Sequence, residues 1–180
     1  AKLGILGGSG LYSLEGLKNL HEREINTPFG NPSDKLQIGD LGGMKVVFLA
    51  RHGRNHTYTP TNIPYRANLW AMRSLGVRWI VSPSAVGSLQ KQIRPLDIVV
   101  PNQFIDRTHQ RPLTFFSDGV VAHVTMADPF CNNLSKLLAD EGELLMPEGR
   151  QIHRGGTYLA MEGPAFSTRA ESNLYQSWGC

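Results

Sequence analysis

The sequence is poor in the features that would assign it to a specialised class. It has only two cysteines, Cys131 and Cys180, in neither metal-binding nor redox spacing. They read as free thiols of a reducing cytosol, with a disulfide between them as the alternative. No stretch approaches the ~20 consecutive apolar residues that span a bilayer, so a membrane protein of helical type is not expected. The N-terminus, Ala1-Lys2-Leu3-Gly4-Ile5-Leu6-Gly7-Gly8, turns to glycine too early for a secretory signal. The net charge of +3 is spread without a basic block, and acids alternate with bases as in Glu22-Arg23-Glu24. That is a poor footprint for nucleic acid. There is no repeat, low-complexity tract or linker. A dinucleotide fingerprint is missing, because Gly8 and Gly10 are followed by Ser13 where a third glycine belongs. A Walker A loop is missing too, since no Gly-Lys-Ser/Thr follows.

What is present is an alternation of strand-like and helix-like segments in a 180-residue chain that is 41% hydrophobic. This predicts an α/β fold, with all of residues 1–180 in one domain. Leu3–Leu6 is a short apolar run. Lys35–Ile38 and Lys45–Ala50 flank Asp40-Leu41-Gly42-Gly43 as a β-hairpin. Pro64–Leu75 has helical spacing, with Pro64 suited to the first helical position and Gly76 to a cap. Trp79–Val81 and Asp97–Val100 read as buried strands. A helix is expected to open at Asp128-Pro129 and close at Gly142. Thr157–Met161 reads as a strand. Thr168 and Glu171 form a capping box that starts a last helix, ending at Trp178-Gly179-Cys180. The alternation stops there without a following strand, which reads as part of a longer chain.

Four segments carry chemistry. Gly7-Gly8-Ser9-Gly10 follows the first strand; it is either a tight turn or a loop whose amides and serine hydroxyl face an anion. Ala50-Arg51-His52-Gly53-Arg54-Asn55-His56 follows a strongly apolar strand. Arg51 there has a guanidinium fork suited to a bidentate oxyanion contact, and His52 offers a second donor. Ser82-Pro83-Ser84-Ala85-Val86-Gly87-Ser88 follows Trp79–Val81 and is either an ordinary small-residue turn or a further set of hydroxyls and amides. Loops that follow parallel strands converge on one sheet edge, where open α/β sheets bind ligands. The fourth segment runs from Glu162 to Glu171. Phe166 either packs or stacks on a flat base, Glu162 is a candidate acceptor for ribose or base groups, and Glu171 reads as a cap. His123, beside apolar residues, is structural when taken alone. His21, His109 and His153 carry no chemical signal. Asp106, Arg107, Thr108 and Arg111 read as an internal ion-pair and hydrogen-bond cluster.

In order along the chain, Gly4-Ile5-Leu6-Gly7-Gly8-Ser9-Gly10, Asn26-Thr27-Pro28-Phe29-Gly30, Gln103-Phe104-Ile105-Asp106-Arg107-Thr108, Met126-Ala127-Asp128-Pro129-Phe130-Cys131 and Arg169-Ala170-Glu171-Ser172 form one recognisable pattern. With it the whole chain resembles the trimeric purine nucleoside phosphorylases of the methylthioadenosine type. The resemblance implies a three-layer α/β phosphorylase fold with a central mixed, twisted sheet flanked by helices. It implies a phosphate site of Ser9, Arg51, His52, Ser84 and the backbone amide of Ala85. It further implies nucleoside contacts from Phe166, His56 and Pro60, a role in substrate choice for Ser167, and His123 reaching a neighbouring subunit's site. Ser84 departs from the threonine that relatives often carry, and keeps the hydroxyl.

The implied reaction is phosphorolysis of S-methyl-5′-thioadenosine to adenine and 5-methylthioribose 1-phosphate, in purine and methionine salvage. Phosphate held beneath C1′ would stabilise the ribosyl cation and then attack it; positioning of this kind contributes ~7–11 kcal/mol. No metal and no organic cofactor are implied, and the assembly would be a cytoplasmic homotrimer or a dimer of trimers. In the family pattern the acid that protonates the base lies beyond Cys180, so no catalytic acid is assigned. Methylthioinosine or 6-oxopurine nucleosides are alternative substrates, and an inactive phosphate-binding fragment is the non-enzymatic alternative. Arg51-His52-Gly53 also matches the Arg-His-Gly signature of histidine phosphatases, which normally follows the first strand.

Overall fold

The computed structural model describes residues 2–116 and 119–180. The chain is α/β, in two compact units: Ala1–Val86 with Gln110–Phe115, and Gly87–His109 with Phe116–Cys180.

The first unit holds a five-stranded mixed sheet in the order β2-β3-β4-β1-β5. Its strands are β1 (Leu3–Gly7), β2 (Lys18–Arg23), β3 (Leu36–Leu41), β4 (Met44–Ala50) and β5 (Trp79–Val81). The expected hairpin is present: β3 and β4 pair antiparallel, with Leu41 opposite Met44 across Gly42-Gly43. β1 lies between β4 and β5 and runs parallel to both. The segment Val46–Ala50 of β4 is buried throughout, as expected of a strand covered on both faces. β2 is exposed at every position and closes one edge with Lys18, Glu22 and Arg23, charges that discourage further pairing. At the other edge Trp79 is 43% exposed, so β5 is not the fully buried strand that its apolar sequence predicts.

Helix α1 (Tyr65–Ser74) buries Ala67, Asn68, Ala71 and Met72. Pro64 serves as the N-cap and not as the first helical residue. At the other end Gly76, at φ +82°, donates to the Arg73 carbonyl, and Val77 donates to Met72. This pair of bonds satisfies two orphan carbonyls, and the left-handed turn it needs favours glycine. The turn brings Val77 into one core cluster with Met72, Ala71, Leu6, Leu36, Ile38, Val47 and Leu49.

The second unit contains two parallel strand pairs. β6 (Ile98–Val100) pairs with β8 (Ile152–Arg154), and β7 (Gln103–Arg107) with β9 (Thr157–Met161). Ile98 is 48% exposed, again against the expectation of a buried strand. Helix α2 spans Asn132–Leu145, so it begins later and ends later than its sequence predicts. Pro129 biases Asp128 away from helical geometry, and Cys131 is still extended at φ −74°, ψ 105°. Gly142 lies inside α2, where a Cβ would fall 2.3 Å from Ile152 Cδ1; it gives room to the neighbouring strand and does not end the helix. Helix α3 (Arg169–Ser177) opens with the expected capping box: the Thr168 hydroxyl accepts from the Glu171 amide, and the Glu171 carboxylate accepts from the Thr168 amide. It ends as α1 does, with Gly179 donating to Gln176 and Cys180 to Tyr175. Both cysteines are free thiols. Among the described residues no helix is long and apolar enough to cross a membrane.

Candidate functional site

The three parallel strands β4, β1 and β5 are adjacent, so the loops that leave their C-terminal ends emerge side by side. These are the loops around Arg51-His52, Ser9 and Ser84-Ala85. Backbone bonds lace them together: Arg51 donates to the Gly7 carbonyl at 2.9 Å and Gly8 donates to the Pro83 carbonyl at 3.2 Å. Gly8 sits where the three meet. A Cβ there would lie 2.7 Å from the Pro83 carbonyl oxygen, 3.1 Å from Arg51 Nη2 and 3.3 Å from Ser84 Cα. No side chain fits without pushing backbone apart.

Arg51 spans this junction. Its Nη1 donates to the Ser84 hydroxyl at 3.1 Å. Because that hydroxyl oxygen accepts from the guanidinium, its own proton remains available to another acceptor. Arg51 Nε is buried and makes no hydrogen bond among the described residues. A buried donor of this kind costs free energy until a partner arrives, roughly 1–3 kcal/mol. Ser9, Ser82 and Ala85 are exposed on the neighbouring loops, and the Ser82 hydroxyl donates to Leu6 at 3.3 Å. A guanidinium, serine hydroxyls and loop amides gathered at parallel strand ends suit an oxyanion.

His52 is 6% exposed, and its Nδ1 lies 2.9 Å from the Tyr58 carbonyl. A carbonyl only accepts, so Nδ1 carries the proton. The neutral ring therefore presents Nε2 as an acceptor, where the sequence suggests a second donor. Burial holds the imidazole below the ordinary histidine range; the Tyr58 bond opposes this, while Arg51, His56 and Arg111 add to it. His56 stacks on His52 with centroids 4.4 Å apart and planes 13° from parallel. It adopts φ +52°, a left-handed conformation uncommon outside glycine, and its Nδ1 lies 2.9 Å from the Tyr12 hydroxyl. Pro60 is half-buried on the same loop, and its carbonyl accepts from the Tyr65 hydroxyl at 2.7 Å.

Arg54, the other cation of this loop, is committed elsewhere. It binds Asp34 and Glu22 at 2.9 and 2.8 Å, which holds the Asp34 carboxyl below its ordinary range despite the opposing effect of burial. Sequence reasoning also missed Tyr12, Tyr58 and Arg111 as neighbours of the histidines. The Arg111 guanidinium lies over the Tyr65 ring, 5.2 Å from the centroid. Asp106 accepts from the Thr108 amide.

His123, Phe166 and Ser167 belong to the second unit. His123 is exposed in an irregular segment. Phe166 is 92% exposed, three residues before α3. The Ser167 hydroxyl lies 2.7 Å from that of Ser172. Glu162 is 9% exposed and accepts from the His109 amide at 2.6 Å, so one of its oxygens is spent on the backbone. His153, silent in the sequence, donates to the enclosed Asp97 carboxylate at 3.0 Å; with the Arg94 and Gln151 amides it pulls that carboxyl down to about 2.

Comparison with known proteins agrees with this architecture. The chain is 78% identical over 180 residues to the S-methyl-5′-thioadenosine phosphorylase of Prochlorococcus marinus, covering all of this chain and 57% of that protein. It superposes with a TM-score of 0.93 on the crystal structure of a methylthioadenosine phosphorylase from an Antarctic soil metagenomic library, at 50% identity, covering 99% of this chain and 62% of that one. A methylthioadenosine phosphorylase from Schistosoma mansoni in complex with adenine aligns with a TM-score of 0.90 at 36% identity, covering 99% of this chain and 71% of that one. The chain thus spans less than two thirds of the length of the first two relatives. The model of the phosphorylase superfamily matches residues 2–180. On that match the chain belongs to the phosphorylase superfamily.

Proposed function

We propose that the chain is the N-terminal portion of a longer phosphorylase domain that cleaves S-methyl-5′-thioadenosine with inorganic phosphate, giving adenine and 5-methylthioribose 1-phosphate. The observation that carries this reading is the Arg51 side chain, bonded to Ser84 through Nη1 and holding a buried Nε with no hydrogen-bond partner among the described residues, at the ends of three parallel strands. It is supported by the identity to relatives that bear the name of this activity.

In this reading Ser9, Arg51, His52, Ser84 and the Ala85 amide hold phosphate. The anion then sits beneath C1′ of the nucleoside. As the N-glycosidic bond breaks, positive charge develops on the ribosyl ring, and the fixed phosphate stabilises it before bonding to C1′. The protein's part is orientation: the Arg51 fork and the serine hydroxyls hold the anion against its own hydration, so little reorganisation remains for the reaction itself. Phe166 lies along the purine, His56 and Pro60 border the sugar, and Ser167 tunes substrate choice. His123 serves a neighbouring subunit in a cytoplasmic homotrimer. The group that protonates the leaving base comes from chain beyond Cys180, and the product feeds purine and methionine salvage.

The test is phosphate-dependent release of adenine from S-methyl-5′-thioadenosine, with chain mass measured on the same sample. Turnover that requires both phosphate and Arg51 is expected from the full enzyme. Adenine release at an equal rate without phosphate would contradict the reading.

A further inference from the structure

We propose that Glu162 is a positioning residue for the nucleoside. By holding the main-chain amide of His109 it fixes the loop that carries Phe166, and it acts on binding through that ring, not by touching the nucleoside. This rests on the phosphorolysis reading, in which Phe166 lies along the purine, and adds to it the group that keeps an exposed ring in place.

β7 and β9 run parallel with Arg107 opposite Met161, so the chain leaves both strands at the same edge. After β7 the Asp106 carboxylate accepts from the Thr108 amide at 2.8 Å and turns the chain. The next amide, that of His109, donates to Glu162 Oε2 at 2.6 Å. The His109 imidazole is exposed and its Nδ1 lies 3.6 Å from the same oxygen, too far for a hydrogen bond, so the main chain is the partner that counts. Glu162 is the first residue after β9 and is buried. A buried carboxylate is costly unless it is hydrogen-bonded, and a short charge-assisted bond to an amide is among the stronger ones. Residues 163–168 then lead to α3. Gly163 turns the chain at φ +76°, a conformation that suits glycine. The far end is held by the Ser167–Ser172 hydroxyl pair and by the Thr168–Glu171 cap. Phe166 stands between these two anchors and is almost fully exposed. A ring so exposed has little packing of its own, and its place is set by the main chain that carries it. A loose loop would have to be ordered before a base could stack on the ring, and that entropy would weaken binding; a loop fixed beforehand avoids the loss.

Steady-state kinetics of the full enzyme with S-methyl-5′-thioadenosine and phosphate test this. Glu162→Ala is expected to raise KM for the nucleoside roughly fivefold or more, with kcat and KM for phosphate within about twofold of the unaltered enzyme. Ser9, Arg51, His52, Ser84 and Ala85 belong to the other unit, so KM for phosphate is the internal control. Phe166→Ala alone is expected to raise KM for the nucleoside about tenfold. In the Phe166→Ala background the further effect of Glu162→Ala falls to within about twofold, because the ring it positions is gone. An undiminished effect in that background means direct contact or general distortion and overturns the inference. A rise in both KM values alike, or no rise for the nucleoside, overturns it as well; each of these results leaves the phosphorolysis reading standing. If Phe166→Ala alone leaves KM for the nucleoside unchanged, the placing of Phe166 along the purine fails, and the inference with it. If Glu162→Ala does not fold, His109→Pro, which removes the donor and keeps the carboxylate, is held to the same outcomes.

Discussion

Arg51 Nη1 donates to the Ser84 hydroxyl at 3.1 Å, joining the loop after β4 to the loop after β5 across the intervening β1. The two residues are 33 positions apart in the chain. Their contact exists because β4 and β5 both run parallel to β1 and end at the same edge. Replacing Arg51 by alanine is therefore expected to weaken phosphate binding by roughly 2–5 kcal/mol, a loss of about thirtyfold or more. Arg51→Lys should recover only part of this, because an ammonium keeps the charge and loses the planar fork. Calorimetry with phosphate measures both; full binding by Arg51→Lys would show that charge alone suffices.

Gly8→Ala tests the junction without touching a charged group. The new methyl would collide with the Pro83 carbonyl oxygen at 2.7 Å and crowd Arg51 Nη2 at 3.1 Å. Overpacking of this kind costs about 1–3 kcal/mol. We expect a lower unfolding midpoint and a disproportionate loss of phosphate affinity, since the strain falls where the loops meet. Unaltered affinity in a folded Gly8→Ala chain would show that this spacing is not critical.

His52 should titrate below its ordinary value of 6.5. A base whose folded pKa is depressed favours the folded state in its neutral form. Its contribution is complete above pH 6.5 and is lost as pH falls through the folded value. Proton NMR of the imidazole gives the titration directly, and denaturation midpoints between pH 7 and pH 5 should fall less steeply in His52→Gln than in the unaltered chain.

Thr168→Ala removes the hydroxyl of the capping box on α3 and is expected to cost about 1 kcal/mol. Urea denaturation measures this, and Thr168→Ser should restore most of it.

That cap was legible in the sequence because it is local: Thr168 and Glu171 are three residues apart and their roles follow from their types. Gly76 and the hairpin at Gly42-Gly43 were legible for the same reason. The position of the three loops was legible as well, since each follows an apolar strand. What stayed hidden depends on distant partners or on backbone. β2 reads Lys-Asn-Leu-His-Glu-Arg, an exposed edge with no apolar alternation to reveal it. Arg54 reads in the sequence only as one more cation of the loop after β4, and its partners Asp34 and Glu22 come from other parts of the chain. The direction of the His52 hydrogen bond is set by a main-chain carbonyl, and a carbonyl has no signature in sequence. Gly142 suggested a helix end, whereas its small size is used against Ile152.

The central claim is that three loops act on one anion. The most direct measurement is a phosphate titration followed at the backbone amides of residues 7–9, 51–52 and 84–85 by nitrogen-15 NMR. The account predicts that all three groups shift together along one saturation curve, and that Arg51→Ala abolishes the shifts in all of them. Shifts confined to one loop, or separate curves for different loops, would contradict it.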